Sequence, residues 1–113
     1  MSQHDSPLPP AAFLILFALA SGDKHGYAIM QEARTLSDHS FRLGPATLYT
    51  TIQRLLDSDR IREVEGPEQG DSRRKYYRLT ASGKTALKAE LARMEAMVKK
   101  SKAMRPRWAE SSS

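Results

Sequence analysis

Thr47, Thr50, Gln53 and Arg54 carry hydrogen-bonding groups at spacings that bring them together if the segment is helical. At 100° per residue they fall with Ala46 and Asp57 opposite an apolar arc of Leu48, Ile52, Leu55 and Leu56, and Tyr49 lies at the boundary. Threonine bonds phosphate or sets its methyl against thymine, glutamine pairs bidentately with adenine, and arginine reads guanine or phosphate. Small residues on the same face permit close approach to a groove. Any exposed helix has a polar outer face, so the pattern gains meaning from its neighbour. Arg73-Arg74-Lys75 stands directly before Tyr76-Tyr77-Arg78, joining cations to phenolic donors suited to gripping phosphates beside a groove.

Other chemistries find little to build on. The chain has no cysteine, which removes disulfides, thiolate nucleophiles and zinc fingers. His4, His25 and His39 are scattered without metal-ligand spacing, and no glycine-rich phosphate loop follows a strand. Glu63, Glu65 and Glu68 read as solvated charges with nothing nearby to shift a pKa. The expectation is a non-enzyme with no cofactor and no metal.

The elements that must hold these residues follow from local pattern. Pro9 and Pro10 suit the first turn of a helix through the apolar run Ala11 to Ala20, which stops at Ser21-Gly22 and, being apolar all round, needs cover on several sides. A second helix is expected from Gly26 to Leu36, with Tyr27, Ile29, Met30, Ala33 and Leu36 at helical spacing. Pro45 presets the first turn of a third, ending near Asp59. Strands at Ile61 to Glu65 and Lys75 to Leu79, joined by the glycine- and proline-bearing stretch 66–72, predict a hairpin. Thr80 is an N-cap for a long last helix to about Met104, limited by Pro106.

That last helix sets Leu87, Leu91, Met94 and Val98 at spacings of 4, 3 and 4, the stripe of a coiled-coil seam, with Met97 and Met104 beside it. It is too long to find cover within a 113-residue domain. With Phe13 and Phe17 of the first helix, the stripe predicts a homodimer interface.

Charge agrees with a polyanionic partner. Eighteen basic against thirteen acidic residues give a net charge of +5, and Lys84 to Arg107 holds eight basic residues against two acids. The ten-residue apolar run is roughly half of what a membrane-spanning helix requires, and the residues before it include Asp5 but no lysine or arginine, unlike a secretion signal. A cytoplasmic protein with no membrane partner is expected.

These motifs, in this order, bring a family into view: over nearly its whole length the chain resembles the PadR-like winged-helix regulators. The resemblance rests on FLILFALA at Phe13 to Ala20, HGYAIM at His25 to Met30, GPATLYTTIQRLL at Gly44 to Leu56 and RRKYYRLTASG at Arg73 to Gly83. It implies a helix-turn-helix with a two-stranded wing, a homodimer held by the C-terminal helix, and repression relieved in many members by a small-molecule effector. It further implies Thr47-Leu48-Tyr49 on the recognition helix, Tyr27 and Tyr49 as phosphate contacts, and Arg73, Arg74 and Lys75 on the wing. One departure is Gly44, where the family more often has serine; glycine still caps a helix without offering a side-chain oxygen. Another is the short C-terminal helix, as in the family's smaller members. Trp108 near the end is placed to stack on a flat ligand or to cover a partner's core.

The expected architecture is mainly α with a small β-hairpin: a flexible segment 1–8, a winged helix-turn-helix unit 9–79, a dimerisation helix 80–105 and a flexible tail 106–113. The expected activity is sequence-specific binding to double-stranded DNA by a transcriptional regulator, a repressor by the family's habit. Tyr27, Pro45, Ala46, Thr47, Tyr49, Thr50, Gln53, Arg54, Arg73, Arg74 and Lys75 are the DNA-facing residues. The rivals are a DNA-binding winged helix with another dimer mode, and a winged-helix module that binds an acidic protein without specific DNA binding.

Overall fold

The computed structural model describes residues 7–67 and 74–111. The elements are α1 (Pro10–Leu19), β1 (Lys24–His25), α2 (Gly26–Leu36), α3 (Pro45–Asp57), β2 (Ile61–Val64), β3 (Tyr76–Leu79) and α4 (Ala81–Ser111). His4, Glu68 and Arg73, most of the 1–8 segment and most of the 66–72 loop lie outside the described residues, as do Ser112, Ser113 and the side chain of Trp108.

Helix α1 is the centre of the fold. Pro10 occupies its first turn, and Pro9 caps it by accepting the Phe13 amide at 2.9 Å. Leu14, Ile15, Leu16, Ala18 and Leu19 are buried on nearly every side because α2, α3, α4 and β3 all pack against it. The chain itself therefore supplies most of the cover that an all-apolar helix demands. Phe13 and Phe17 remain only partly buried, their rings 5.5 Å apart.

Helix α3 buries Leu48, Ile52 and Leu55 against this core, and Leu56 is half-buried. It stops two residues before the expected Asp59, which takes a φ of 60° and reverses the chain. There the Asp59 amide bonds to the Leu56 carbonyl and the Arg60 amide to the Leu55 carbonyl at 2.9 Å. This is a left-handed C-terminal cap with aspartate where glycine is usual.

The expected hairpin is one part of a three-stranded antiparallel sheet of order β1-β3-β2. Ile61 pairs with Leu79 and Val64 with Tyr76 on one side of β3, while Lys24 pairs with Tyr77 and His25 with Tyr76 on the other. A two-residue strand has no periodicity to read, so β1 leaves no trace in the sequence. Asp23 then pins the sheet to the turn after α1 by a two-pronged bridge to Arg78 at 2.7 and 2.9 Å.

Thr80 caps α4 as expected, its hydroxyl accepting the Gly83 amide at 3.0 Å. Ala86, Leu87 and Glu90 face the core. The expected end near Met104 and the expected flexible tail, over its described residues 106–111, are corrected, because the helix continues through Pro106 to Ser111. Proline there removes one amide donor to the Lys102 carbonyl. Lys102 is exposed, so water can serve that carbonyl, and the flanking Ala103, Met104, Arg105, Arg107 and Ala109 are good helix formers.

Glu90, only 7% exposed, accepts the Leu8 amide at 3.0 Å and Arg93 Nη2 at 2.7 Å, tying the segment before α1 to α4. The Arg93 hydrogen bond holds its carboxyl below the usual range, aided by the Leu8 amide and opposed by burial. A carboxylate with a depressed folded pKa stabilises above its unfolded value and loses that contribution as pH falls through the folded value. Urea titrations should therefore show the parent ahead of Glu90→Gln by about 1 kcal/mol at neutral pH, the low end for a charge-assisted bond since Arg93 is partly exposed. The gap should close as pH falls below 4.5. A constant gap would place the stabilisation elsewhere.

Candidate nucleic-acid interface

A glycine at the first turn of α2 lets three elements meet. Tyr49 of α3 lays its phenol on Gly26 so closely that a Cβ at that position would stand 2.6 Å from the Tyr49 oxygen. Across from it the strand β3 brings in Arg74 and Lys75 at its leading end. His25, Gly26, Tyr27, Tyr49, Arg74, Lys75 and Tyr77 thereby line one cleft of about 360 Å³. The cleft lies at the N-terminus of α2, where the helix dipole favours an anion.

The electrostatics point the same way. Tyr27 is 62% and Tyr49 54% exposed, unusual for large aromatic side chains in a small domain. Tyr27 accepts a hydrogen bond from Gln31 at 2.6 Å, which orients its ring and leaves the phenolic proton free to donate. Burial raises the Tyr77 pKa, with Glu63 and Tyr49 adding to the effect, so its phenol stays a neutral donor. His25 caps α2, its Nδ1 accepting the Ala28 amide at 3.2 Å, while Nε2 lies 3.1 Å from Arg74 Nη1. A neutral imidazole offers one acceptor nitrogen. With Nδ1 committed to the cap, Nε2 carries the proton and gives Arg74 no lone pair. Desolvation and the charge of Arg74 both lower the His25 pKa, which keeps the ring neutral. Arg74 lines the cleft with no carboxylate partner among the described residues.

The outer face of α3 is exposed at Pro45, Ala46, Thr47, Thr50, Gln53 and Arg54. The structure divides it. Tyr49 belongs to the first cleft, whereas Thr47 and Arg54 turn toward the opposite edge and line a separate hollow beneath the start of α1. Gln53 donates to Asp57 at 2.9 Å, so its amide is already oriented along the helix. Tyr27, Tyr49, Arg74 and Lys75 are brought together as a group. His25, Gly26 and Tyr77 join them without having been singled out for this site, although the His-Gly-Tyr motif contained the clue of a glycine where a helix begins.

The α4 stripe is also corrected in part. Leu87 is buried in the chain's own core because the first turns of α4 pack on α1 and β3, so it leaves the seam. Leu91 and Met94 are half-buried, and Met97, Val98 and Met104 are exposed. Leu91, Met94 and Val98 line an apolar groove with Glu95, Lys99 and Lys102 at its rim. Among the described residues no group of histidine, cysteine, aspartate and glutamate could hold a metal, and no helix is long and apolar enough to cross a membrane.

Two helices joined by a turn, the second polar-faced and followed by a hairpin with a basic base, define a winged helix-turn-helix regulator of the DNA-binding class. A family model described as the transcriptional regulator PadR-like family matches residues 15–89, and the chain belongs to that family. Its members are regulators of transcription rather than enzymes. The transcriptional regulator Rv3488 of Mycobacterium tuberculosis is 33% identical over 85 residues, covering 75% of this chain and 76% of that protein. A PadR family transcription regulator from Clostridium difficile superposes with a TM-score of 0.71 at 27% identity, over 85% of this chain and 98% of that one. PadR of Bacillus subtilis in complex with operator DNA superposes with a TM-score of 0.62 at 25% identity, over 71% of this chain and 45% of that one.

Proposed function

We propose that this regulator is a cytoplasmic homodimeric repressor that acts by binding rather than catalysis, with α3 in the major groove and the base of the wing on the phosphate backbone. The observation that carries the reading is the convergence of Tyr27, Tyr49, Arg74 and Lys75 on one cleft at the N-terminus of α2. Such a cleft fits a single backbone phosphate and fixes the register in which the face of α3 meets base edges. Residues 9–79 form the DNA-binding unit and α4 the dimerisation arm. The operator complex of the Bacillus subtilis relative supports the same use of the fold here.

Selection from a random duplex pool, followed by fluorescence anisotropy at several salt concentrations, tests this. The expected product is a two-fold symmetric site with half-sites about 34–36 Å or a multiple apart. Weak, sequence-blind binding would transfer the polar face to an acidic protein partner. On the selected site, Arg74→Ala and Lys75→Ala should each reduce the slope of log K against log salt by about 0.9 and weaken all sequences alike. Unchanged slopes would remove the wing from the phosphates. Gln53→Ala should instead flatten preference at one base pair, by about 1–3 kcal/mol if the amide leaves Asp57 for a bidentate contact. Equal losses across all sequences would make Gln53 a backbone contact.

A further inference from the structure

His25 lines the cleft at the N-terminus of α2, and three contacts fix its half-buried ring. Nδ1 lies 3.2 Å from the Ala28 amide, the ring meets Tyr76 edge-on with centroids 5.3 Å apart, and the backbone pairs with Tyr76 in the sheet. Nε2 is thereby set 3.1 Å from Arg74 Nη1. The Ala28 amide and the Arg74 guanidinium are both donors, and a neutral imidazole has one lone pair for the two of them. With that pair on the Ala28 amide, the N–H groups of Nε2 and Arg74 face each other. The other charged and titratable groups around the ring do not relieve this. Lys75 and Tyr77 come from β3 and its leading end, Tyr49 from α3, Tyr27 from α2, and Lys24 is the neighbour on β1. Asp23, two residues before His25, is held by Arg78 in its two-pronged bridge, and Glu63 on β2 acts on Tyr77.

We infer that His25 is itself a phosphate contact: its Nε2–H and Arg74 converge on one oxygen of the DNA phosphate held in the cleft, and capture of that phosphate draws a second proton onto the ring. The inference rests on the reading of the cleft as a phosphate site. A phosphate oxygen accepts from both groups at once, which turns a contact between two donors into a pair of charge-assisted hydrogen bonds. The proton follows from the change in charge. In the free chain burial, and then the charge of Arg74, hold the His25 pKa below the ordinary 6.5. A phosphodiester offsets Arg74 and sets a negative charge beside the ring, which favours imidazolium. The Ala28 amide opposes a proton on Nδ1 in both states, so its effect cancels from the difference. The bound pKa therefore stands above the free one. The affinity gained is fully present below the free value and is lost as pH rises through the bound value.

The test uses the full chain and the selected operator at constant salt, with anisotropy from about pH 8 down to about pH 5. Affinity is expected to rise about tenfold per half-site over that range, the usual effect of an opposite charge in contact with a titrating group. His25→Asn keeps a good capping side chain and cannot titrate. It should melt near the parent, bind the operator more weakly and lose the pH slope, whereas a chain carrying His4→Asn and His39→Asn, which removes the other two histidines, should keep it. Without DNA, ring-nitrogen NMR shifts should show the Nε2–H tautomer. Dimethyl phosphate, a monoanion that does not titrate in this range, should raise the His25 midpoint where equal chloride does not. A slope that survives His25→Asn, tighter binding at high pH, or a midpoint unmoved by dimethyl phosphate would overturn the inference. A symmetric operator bound equally well at every pH would overturn it and leave the DNA-binding reading intact. If no duplex is selected but dimethyl phosphate raises the His25 midpoint, the phosphate contact stands and the DNA-binding reading falls.

Discussion

A chain carrying Met94→Glu and Val98→Glu should keep its fold, sediment as a monomer and lose about two to four orders of magnitude in operator affinity. Helix α4 has 31 residues, and at 1.5 Å per residue it is about 46 Å long. Ala86, Leu87 and Glu90 use up its inner face within the first three turns. Beyond them Met97, Val98 and Met104 stand 60%, 52% and 53% exposed, next to the half-buried Leu91 and Met94. Apolar residues repeated along an outlying helix mark a surface meant to be covered. Within one chain Val98→Glu gains a favourable pair with Lys102, while Met94→Glu stands four residues from both Glu90 and the new charge at 98, repulsions of a few tenths of a kcal/mol each. Across a dimer seam the two glutamates place charges in apolar contact, which is strongly unfavourable. Thermal melts should therefore change little while the association state changes completely. Operator affinity falls because the second half-site is held only through the linkage, whose loss typically costs about 10²–10⁴. A variant that still sediments as a dimer and binds at full strength would place the interface elsewhere.

How much of this was legible in the sequence depends on the range over which each feature is decided. The bounds of α2, the Thr80 cap and the buried arc of Leu48, Ile52 and Leu55 are set by residues within a few turns of one another, and periodicity and capping rules find them. Strand β1 is set by its pairing with Tyr76 and Tyr77, far along the chain, so Lys24 and His25 look like the end of a turn. Leu87 and Leu91 have the same residue type on the same helical stripe. Only the packing of α1 and β3 shows that the first belongs to the core and the second lies at its edge. The helical wheel likewise groups Thr47, Thr50, Gln53 and Arg54 as one face. It took the positions of α1 and β3 to assign Tyr49 to one cleft and Thr47 and Arg54 to another. The sequence shows His25 only as a histidine without metal-ligand spacing; in the fold its Nδ1 caps α2 and its Nε2 lies 3.1 Å from Arg74.

Gly83→Ala should destabilise the fold by about 3 kcal/mol or more, a large share of the roughly 5–15 kcal/mol typical of a domain. On an exposed helix this substitution would stabilise, because alanine is favoured over glycine by about 1 kcal/mol in a helix. Here the sign is reversed by a close approach of backbones. The Thr80 amide bonds to the Arg60 carbonyl at 3.1 Å, and Thr80 and Ser82 hydroxyls both donate to the Asp59 carbonyl, pressing the first turn of α4 onto the start of β2. A Cβ at Gly83 would overlap the Arg60 carbonyl oxygen and lie 3.3 Å from Leu79 Cδ2. The obstacle is main chain, so no rotamer change relieves it, and either the Thr80–Arg60 bond or the α4 axis must give. Urea unfolding of Gly83→Ala beside the exposed control Lys84→Ala measures the effect; a midpoint equal to the parent's would disprove the close approach. A less damaging outcome is informative as well. If α4 tilts rather than melts, the proposed dimer contact at Met94 and Val98 moves relative to α3, and the preferred spacing of operator half-sites should change while contacts within each half-site stay the same.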